Sequence, residues 1–350
     1  MKQKAECRVR RAENRRTTLL FIADSSPSAE KGIALMMVLW VLVLLSIIAL
    51  NYFGSNRWNS AATRNLKEET IAYAMAMSGY QEAVNYVLSD KDPAIDFIDS
   101  EGNFWTDTDD NTQPVTARRT TEDGEVEIKI TDENARININ TADSNRLRSL
   151  FLYAGIPDDE ITELLDCILD WKDADDEHHL SGAESDYYEG LSDPYKAKNG
   201  DFTVPEELAL LKGMKPEYFK NDGEGDGEGQ GEGEAKSLLS LITTFGGKTM
   251  NINTVSAEVM QILGLDESEI EAIMKQRTRE AGGWRTSQYS SKGLNATASQ
   301  NIRIEVMART ANSNLGVKIV AVLHRKPALE EGGYKIQTLY WREDAENIRG

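Results

Sequence analysis

The chain has 350 residues, a formal charge of −19 and only two cysteines. Acidity of that order repels phosphate backbones and anionic lipid surfaces, which argues against nucleic acid as a ligand. The length supports one large or two modest domains with a proper core.

The first element is a basic leader that ends at Lys31-Gly32 and meets an apolar run. Before Ile33 there are eight Lys/Arg against four acids, and residues 33–50 contain one polar side chain, Ser46. Eighteen helical residues rise roughly 27 Å, close to the thickness of a bilayer core. The positive-inside rule keeps the leader in the cytoplasm and sends the C-terminal bulk across. A secretory signal would place small residues at an A-x-A-like site after the apolar core, and Leu50-Asn51-Tyr52-Phe53-Gly54 offers none. From 63 to 88 apolar residues recur at three- and four-residue spacing, which predicts an amphipathic continuation of the same helix, weakened at Gly54 and Gly79 and ended by Asp92-Pro93.

A polar, turn-rich section follows at 99–123, then a period-two strand at 125–130. Arg136-Ile137-Asn138-Ile139-Asn140-Thr141-Ala142 recurs as Thr249-Met250-Asn251-Ile252-Asn253-Thr254-Val255. Each copy precedes two short helical patterns joined by a turn, Gly155-Ile156-Pro157 or Gly264-Leu265-Asp266, with second helices from Asp158 and Glu267. The units look like helix-hairpin-helix modules. Their turns lack paired glycines and are flanked by acids, so the backbone N–H cradle that such modules offer to phosphate is missing. Three more strands are expected at 302–309, 317–324 and 334–341, with turns at Asn312-Ser313-Asn314 and Glu331-Gly332-Gly333. They form a meander whose apolar face the amphipathic helix would cover.

Between the two modules lie an acidic cluster and a Gly/Glu-alternating linker at 221–236. The cluster runs Asp170-Trp171-Lys172-Asp173-Ala174-Asp175-Asp176-Glu177, then Gly182-Ala183-Glu184-Ser185-Asp186-Tyr187-Tyr188 and Ser192-Asp193-Pro194-Tyr195. Composition alone leaves two readings open, a solvated acidic loop or a site of hard oxygen ligands for Ca²⁺. His178-His179 forms neither an i, i+4 pair nor an H-E-x-x-H motif, so no catalytic metal and no enzyme activity are expected.

The junction resembles the type IV prepilin class, cleaved between Gly32 and Ile33. That class usually has a glutamate at the fifth mature position, where this chain has Met37. A subunit with no predecessor has no terminal amine to neutralise in lipid, so the departure fits a tip position. Met37, the D-W-x-D-x-D order, the G-A-E-x-D-Y-Y segment and Val204-Pro205-Glu206-Glu207-Leu208 together resemble the K-type minor pseudopilins of type II secretion systems.

The resemblance implies an α+β fold: a long N-terminal transmembrane and amphipathic helix packed on an antiparallel sheet, the pseudopilin fold, with a large mostly α-helical insert. It divides the chain into a leader at 1–32, an N-terminal helix at 33–92 with its span at 33–53, and a head from 93–140 and 249–350. The second helical unit lies at 249–280, and an inserted domain at 141–248 holds the cluster at 170–193. It implies calcium, with Asp173, Asp175 and Glu184 as the best-fitting ligands and Asp170 and Asp186 next. It also implies an inner-membrane precursor processed and methylated by a prepilin peptidase, with the I- and J-type minor pseudopilins and the major pseudopilin as partners. Removal of the leader leaves 318 residues of charge near −23 and only Cys167, so no internal disulfide. A membrane-tethered calcium-binding adhesin and a tethered DNA-uptake protein are the alternatives.

Overall fold

The computed structural model describes residues 27–90, 92, 94–106, 113–219, 237–278, 281–311, 315–327 and 334–347. The leader to residue 26, the linker at 221–236 and the strand turns expected at 312–314 and 331–333 lie outside the described residues. By packing, the chain divides into two units, Met1–Thr63 and Arg64–Gly350.

The first helix, α1 (Pro27–Leu88), is continuous. Within it Ile33–Phe53 is long and apolar enough to cross a membrane, with 21 residues at mean hydropathy 3.0 and none buried. Ser46 returns its hydroxyl to the Leu42 carbonyl at 2.7 Å, which satisfies it inside the helix. Among the described residues the helix is already present at Pro27, before the expected start at 33. It also stops short of 92. Asp90 is claimed by the Arg325 guanidinium at 2.6 Å and accepts the Asp92 N–H at 2.9 Å, and both bonds pull the chain out of helical geometry.

After α1 come β1 (Phe97–Ile98), β2 (Phe104–Trp105), β3 (Arg118–Thr120), β4 (Gly124–Asp132) and β5 (Ile137–Asn138), then α2 (Ser144–Tyr153), α3 (Asp158–Lys172), α4 (Ser185–Glu189) and α5 (Leu238–Leu241). The chain continues through β6 (Ile242–Thr243), β7 (Met250–Asn251), α6 (Ala257–Ile262), α7 (Glu267–Lys275), β8 (Leu294–Ala296), β9 (Asn301–Thr310), β10 (Leu315–Pro327) and β11 (Tyr334–Asn347). The principal sheet is antiparallel in the order β11-β10-β9-β4-β3. The four strands expected from alternation are all present. β1, β2 and β3, at and within the section read as polar turns, are too short for alternation to reveal.

The sheet's inner face shows why the alternation mattered. Val126, Ile128 and Ile130 of β4, Ile302, Ile304, Val306 and Ala308 of β9, and Val317, Ile319, Ala321 and Leu323 of β10 bury one face. The later turns of α1 cover it with Ala72, Ala76, Tyr80, Ala83 and Val87, spaced at three and four. The stripe is small because the helix lies close: a Cβ on Gly79 would sit 2.9 Å from Val306 Cγ1 and 3.0 Å from Val126 Cγ1. Gly79, a weak helix residue by propensity, is retained for that approach.

β4 and β9 are neighbours, with Asp132 opposite Ile302, so everything between them leaves and re-enters the sheet at one place. Two buried acids close that junction. Asp132 accepts from Thr254 Oγ1 at 2.7 Å, Ser299 Oγ at 2.6 Å and the Asn134 N–H at 2.8 Å. Burial raises its pKa to about 6 despite those donors. Glu133 accepts from Thr243 Oγ1 and Arg303 Nε.

The helical units build a second core. Each opens on a two-residue strand paired in parallel, β5 with β6 and β7 with β8. Asp143 and Ser256 cap α2 and α6 through bonds from Arg146 N and Val259 N. Gly155 and Gly264 both take φ of 78°, the left-handed geometry that ends a first helix and turns the chain. One apolar cluster then joins Ile137, Leu150, Ile161, Ile168 and Trp171 of the first unit to Ile252, Val259, Ile270 and Leu294 of the second. The second unit, assigned from sequence to the head, therefore shares its core with the insert and not with the sheet. The insert is also less helical than expected. Between α3 and α5 the described residues form only α4 and two 3-10 turns, Pro205–Leu210 and Pro216–Phe219.

Candidate metal centre

The acidic cluster begins on the last turns of α3. Its first turn carries Asp158, Asp159 and Glu160, which complement the helix dipole, and its inner face buries Ile161, Leu164, Cys167, Ile168 and Trp171. Cys167 is a buried thiol pushed up to about 12 by burial. The helix period brings Asp166 and Asp170 onto one side, and both fasten the loop that follows. Asp166 Oδ2 accepts the Ser181 N–H at 3.0 Å, while Asp170 accepts the His179 N–H at 3.0 Å and His179 Nδ1. Gly182 leaves no room for a side chain, since a Cβ there would lie 1.8 Å from Asp170 Oδ2.

The fastened loop returns Glu184 to the C-terminal end of α3. Carboxylate oxygens of Asp173, Asp175 and Glu184 all lie within 4.8 Å of one another, and so do ligand atoms of Asp170, Asp173 and His179. Glu184 stands at the N-cap of α4 but makes no capping bond. Its side chain is almost wholly buried, and neither carboxylate oxygen has a hydrogen-bond donor. Asp173 Oδ1 is likewise buried without a donor. Burial, then Asp170, Asp173 and Asp176, raises the Glu184 pKa to about 7. Burial, then Asp175 and Asp170, raises that of Asp173. Asp175 is exposed and closes a local turn by accepting the Glu177 N–H at 2.9 Å.

Aromatic rings hold this end of the helix from behind. Trp171 packs edge-on against Tyr188 at 5.4 Å and stacks with Phe202 at 6.3 Å, and Tyr188 stacks on Tyr195 at 5.2 Å. The D-W pair of the sequence thus sets the Asp170 carboxylate beside the cluster and the Trp171 ring in the core.

Of the five acids singled out in the sequence, the three best-fitting ones meet. Asp170 is adjacent, with its oxygens engaged by His179. Asp186 is apart: its carboxylate is 75% exposed and pairs with His178 Nε2 at 3.0 Å, because residue 186 falls on the outer side of α4. His179, set aside at the sequence level, is the neighbour that spacing did not reveal; its pKa is raised by the hydrogen bond to Asp170. Buried anionic oxygens with no donor are the arrangement that a hard, oxygen-seeking cation relieves, and these residues fit one.

The comparisons agree with this architecture. Residues 128–221, from β4 through the cluster, match the family model for type II secretion system (T2SS), protein K. Type II secretion system protein K of Pseudomonas aeruginosa is 24% identical over 271 residues, covering 72% of this chain and 73% of that protein. The protein of the same name from Aeromonas hydrophila is 27% identical, covering 55% and 62%. The GspK-GspI-GspJ complex of the enterotoxigenic Escherichia coli type 2 secretion system aligns with a TM-score of 0.56 and 15% identity, over 82% of this chain and 99% of that one, a likeness of fold. By matched domain and relatives, this chain is similar to type II secretion system protein K, and its fold is like that of the aligned complex.

Proposed function

We propose that the chain is a minor pseudopilin of a type II secretion system, a structural subunit anchored in the inner membrane with its head in the periplasm. The observation that carries this reading is the protein K domain at 128–221, attached through β4 to a sheet whose covering helix also contains a membrane-length apolar run. On this reading a prepilin peptidase cleaves between Gly32 and Ile33 and methylates the new terminus. The head then joins I- and J-type partners, as the proteins of the aligned complex do by name, and the major pseudopilin adds below. Met37 places the subunit first, since a subunit with no predecessor has no amine to attract. The tethered-adhesin and DNA-uptake alternatives gain no support from the comparisons.

Calcium belongs to the same reading. Asp173, Asp175 and Glu184 would hold the ion, which neutralises carboxylates that otherwise repel one another and are costly to bury. Asp166 and Asp170 position the loop by taking its N–H groups, and Trp171 and Tyr188 fix the backbone behind. Binding to the folded state alone would stabilise a loop-rich insert whose one cysteine is unpaired.

Replacing Gly32 with leucine tests the central reading. The expected result is uncleaved precursor on an immunoblot and loss of exported protein from the medium. Mature-sized chain with undiminished secretion would overturn it in favour of a simple tether.

A further inference from the structure

The polar junction between the end of α1, the sheet and the second helical unit buries more negative charge than positive. Asp90, Asp96, Asp132 and Glu133 are all buried there. Arg303 Nε serves Glu133, with the partly exposed Arg136 at 3.5 Å. A single guanidinium, Arg325, reaches both Asp90, at 2.6 Å, and Asp96, at 2.5 Å. The groups that donate to Asp132, the Thr254 and Ser299 hydroxyls and the Asn134 N–H, are neutral. The neighbours on the last two strands do not offset the excess. Tyr334, its ring centre 4.5 Å from Arg325 Cζ, is pushed up to about 12 by burial, and burial with Lys326 lowers the pKa of His324. Asp92 is engaged by Arg285 at 2.9 Å.

Asp96 is where a proton offsets the excess. Among the described residues, the donors to its side chain, the Ser299 N–H at 2.6 Å and Arg325, both reach Oδ2, while Oδ1 is buried with no partner. A proton on Oδ1 neutralises the carboxyl without breaking a bond and leaves the Arg325 charge to Asp90. An ionised oxygen in that place is desolvated and unpaired, which is costly. Burial raises the Asp96 pKa to about 7 in spite of Arg325 and the Ser299 N–H. The backbone of the same residue is a tie. Its N–H donates to the Thr297 carbonyl at 2.9 Å, and its carbonyl accepts at 3.1 Å from Asn251 Nδ2, the first asparagine of the second repeat.

We propose that Asp96 carries a proton in the folded head and that this proton makes the seating of the second helical unit sensitive to pH. Ionisation places an unpaired charge at the residue that ties this unit to the end of α1, so the joint loosens as pH rises. The device stands apart from the acidic loop after α3 and operates whether or not that loop holds a metal.

Unfolded, Asp96 ionises near its ordinary 3.8. The folded state therefore holds the extra proton between that value and about 7, and stability falls as pH rises through this window and levels off above it. The test unfolds the full-length chain in detergent with denaturant from about pH 5 to 8.5, parent beside Asp96→Asn. The amide puts an uncharged group at the Oδ1 position and keeps an oxygen for Ser299 and Arg325. Glu184 is present in both chains, so its titration cancels. Relative to the variant, the unfolding constant of the parent should rise about tenfold per pH unit between roughly 5 and 6.5 and level off above about 8. In parent chain labelled with ¹³C-aspartate, infrared spectra should show a protonated aspartic acid band at about pH 6.5 that is gone near 8.5 and is weakened in Asp96→Asn. Parallel pH curves for parent and variant would overturn the proposal. So would a labelled parent with no such band, a result that does not depend on the variant folding. A band of undiminished strength in Asp96→Asn would overturn the assignment of the proton to Asp96.

Discussion

The two helical units share a frame and differ in how they are closed. In the first, Asn138 Oδ1 accepts the Asn140 N–H at 2.9 Å, and Asn140 exchanges side-chain bonds with the backbone of Phe202, accepting at 2.8 Å and donating at 2.9 Å. In the second, Asn251 accepts the Asn253 N–H at 2.9 Å, and Asn253 exchanges the same pair with Trp284, accepting at 2.7 Å and donating at 2.8 Å. Each repeat therefore uses its second asparagine as a piece of strand that clamps a distant aromatic residue. The ends diverge. After α7, Arg277 is buried and donates to the carbonyls of Val255, at 2.6 Å, and Ile252, so the unit is closed by its own cation. At the end of α3, Lys172 makes a similar bond to the Asn140 carbonyl at 2.7 Å, yet beyond it Asp173 Oδ1 and both Glu184 oxygens are buried without donors. One unit buries a guanidinium against its own carbonyls; the other buries carboxylate oxygens that the proposed calcium ion would neutralise.

The sharpest way to break that comparison is to remove the internal cation. Arg277→Met leaves two buried carbonyls without their charged donor, and the expected loss is about 3 kcal/mol in denaturant midpoint. Its response to Ca²⁺ should match the parent, because the guanidinium serves the other unit. Chelation should act on the first unit instead. For an ion supplied at a hundredfold its Kd the stabilisation is roughly 2.7 kcal/mol, read as a lower melting temperature in EDTA restored by Ca²⁺. An unchanged melt, with no metal on elemental analysis, refutes the calcium half.

A smaller effect tests the shared half. Asn140→Ala and Asn253→Ala each strip partners from a backbone N–H and carbonyl and should cost a similar amount, about 2 kcal/mol. Unequal losses would show that the clamps are alike only in shape. The smallest effect is one of pH. Burial lifts the Glu184 pKa from 4.5 to about 7, so the calcium-free protein binds the proton more tightly folded than unfolded. That contribution is complete below the unfolded value and is lost as pH rises through about 7. Calcium-free protein should therefore gain from this group between pH 8 and 5, and Glu184→Gln should flatten the difference. With Ca²⁺ present the trend should reverse, since protons compete with the ion for the carboxylate.

Much of this was legible from local pattern. Alternation revealed β4, β9, β10 and β11, and the recurrence of N-I-N-T revealed the two units with their glycine turns, because those signals depend on residues only a few positions apart. Three of the five acids could be placed because a motif fixes their order. What stayed hidden depends on long closures. The Asn140–Phe202 and Asn253–Trp284 clamps join segments far apart in the chain, and the sharing of one core by both units follows from packing that no single helix pattern encodes.

The central claim is that this head is one subunit of a minor-pseudopilin complex. Co-expression with the I- and J-type minor pseudopilins of the same secretion system, followed by size-exclusion chromatography with light scattering, tests it most directly. A single species of one copy each is the predicted result. Three separately eluting proteins at micromolar concentration, with calcium present, would contradict it.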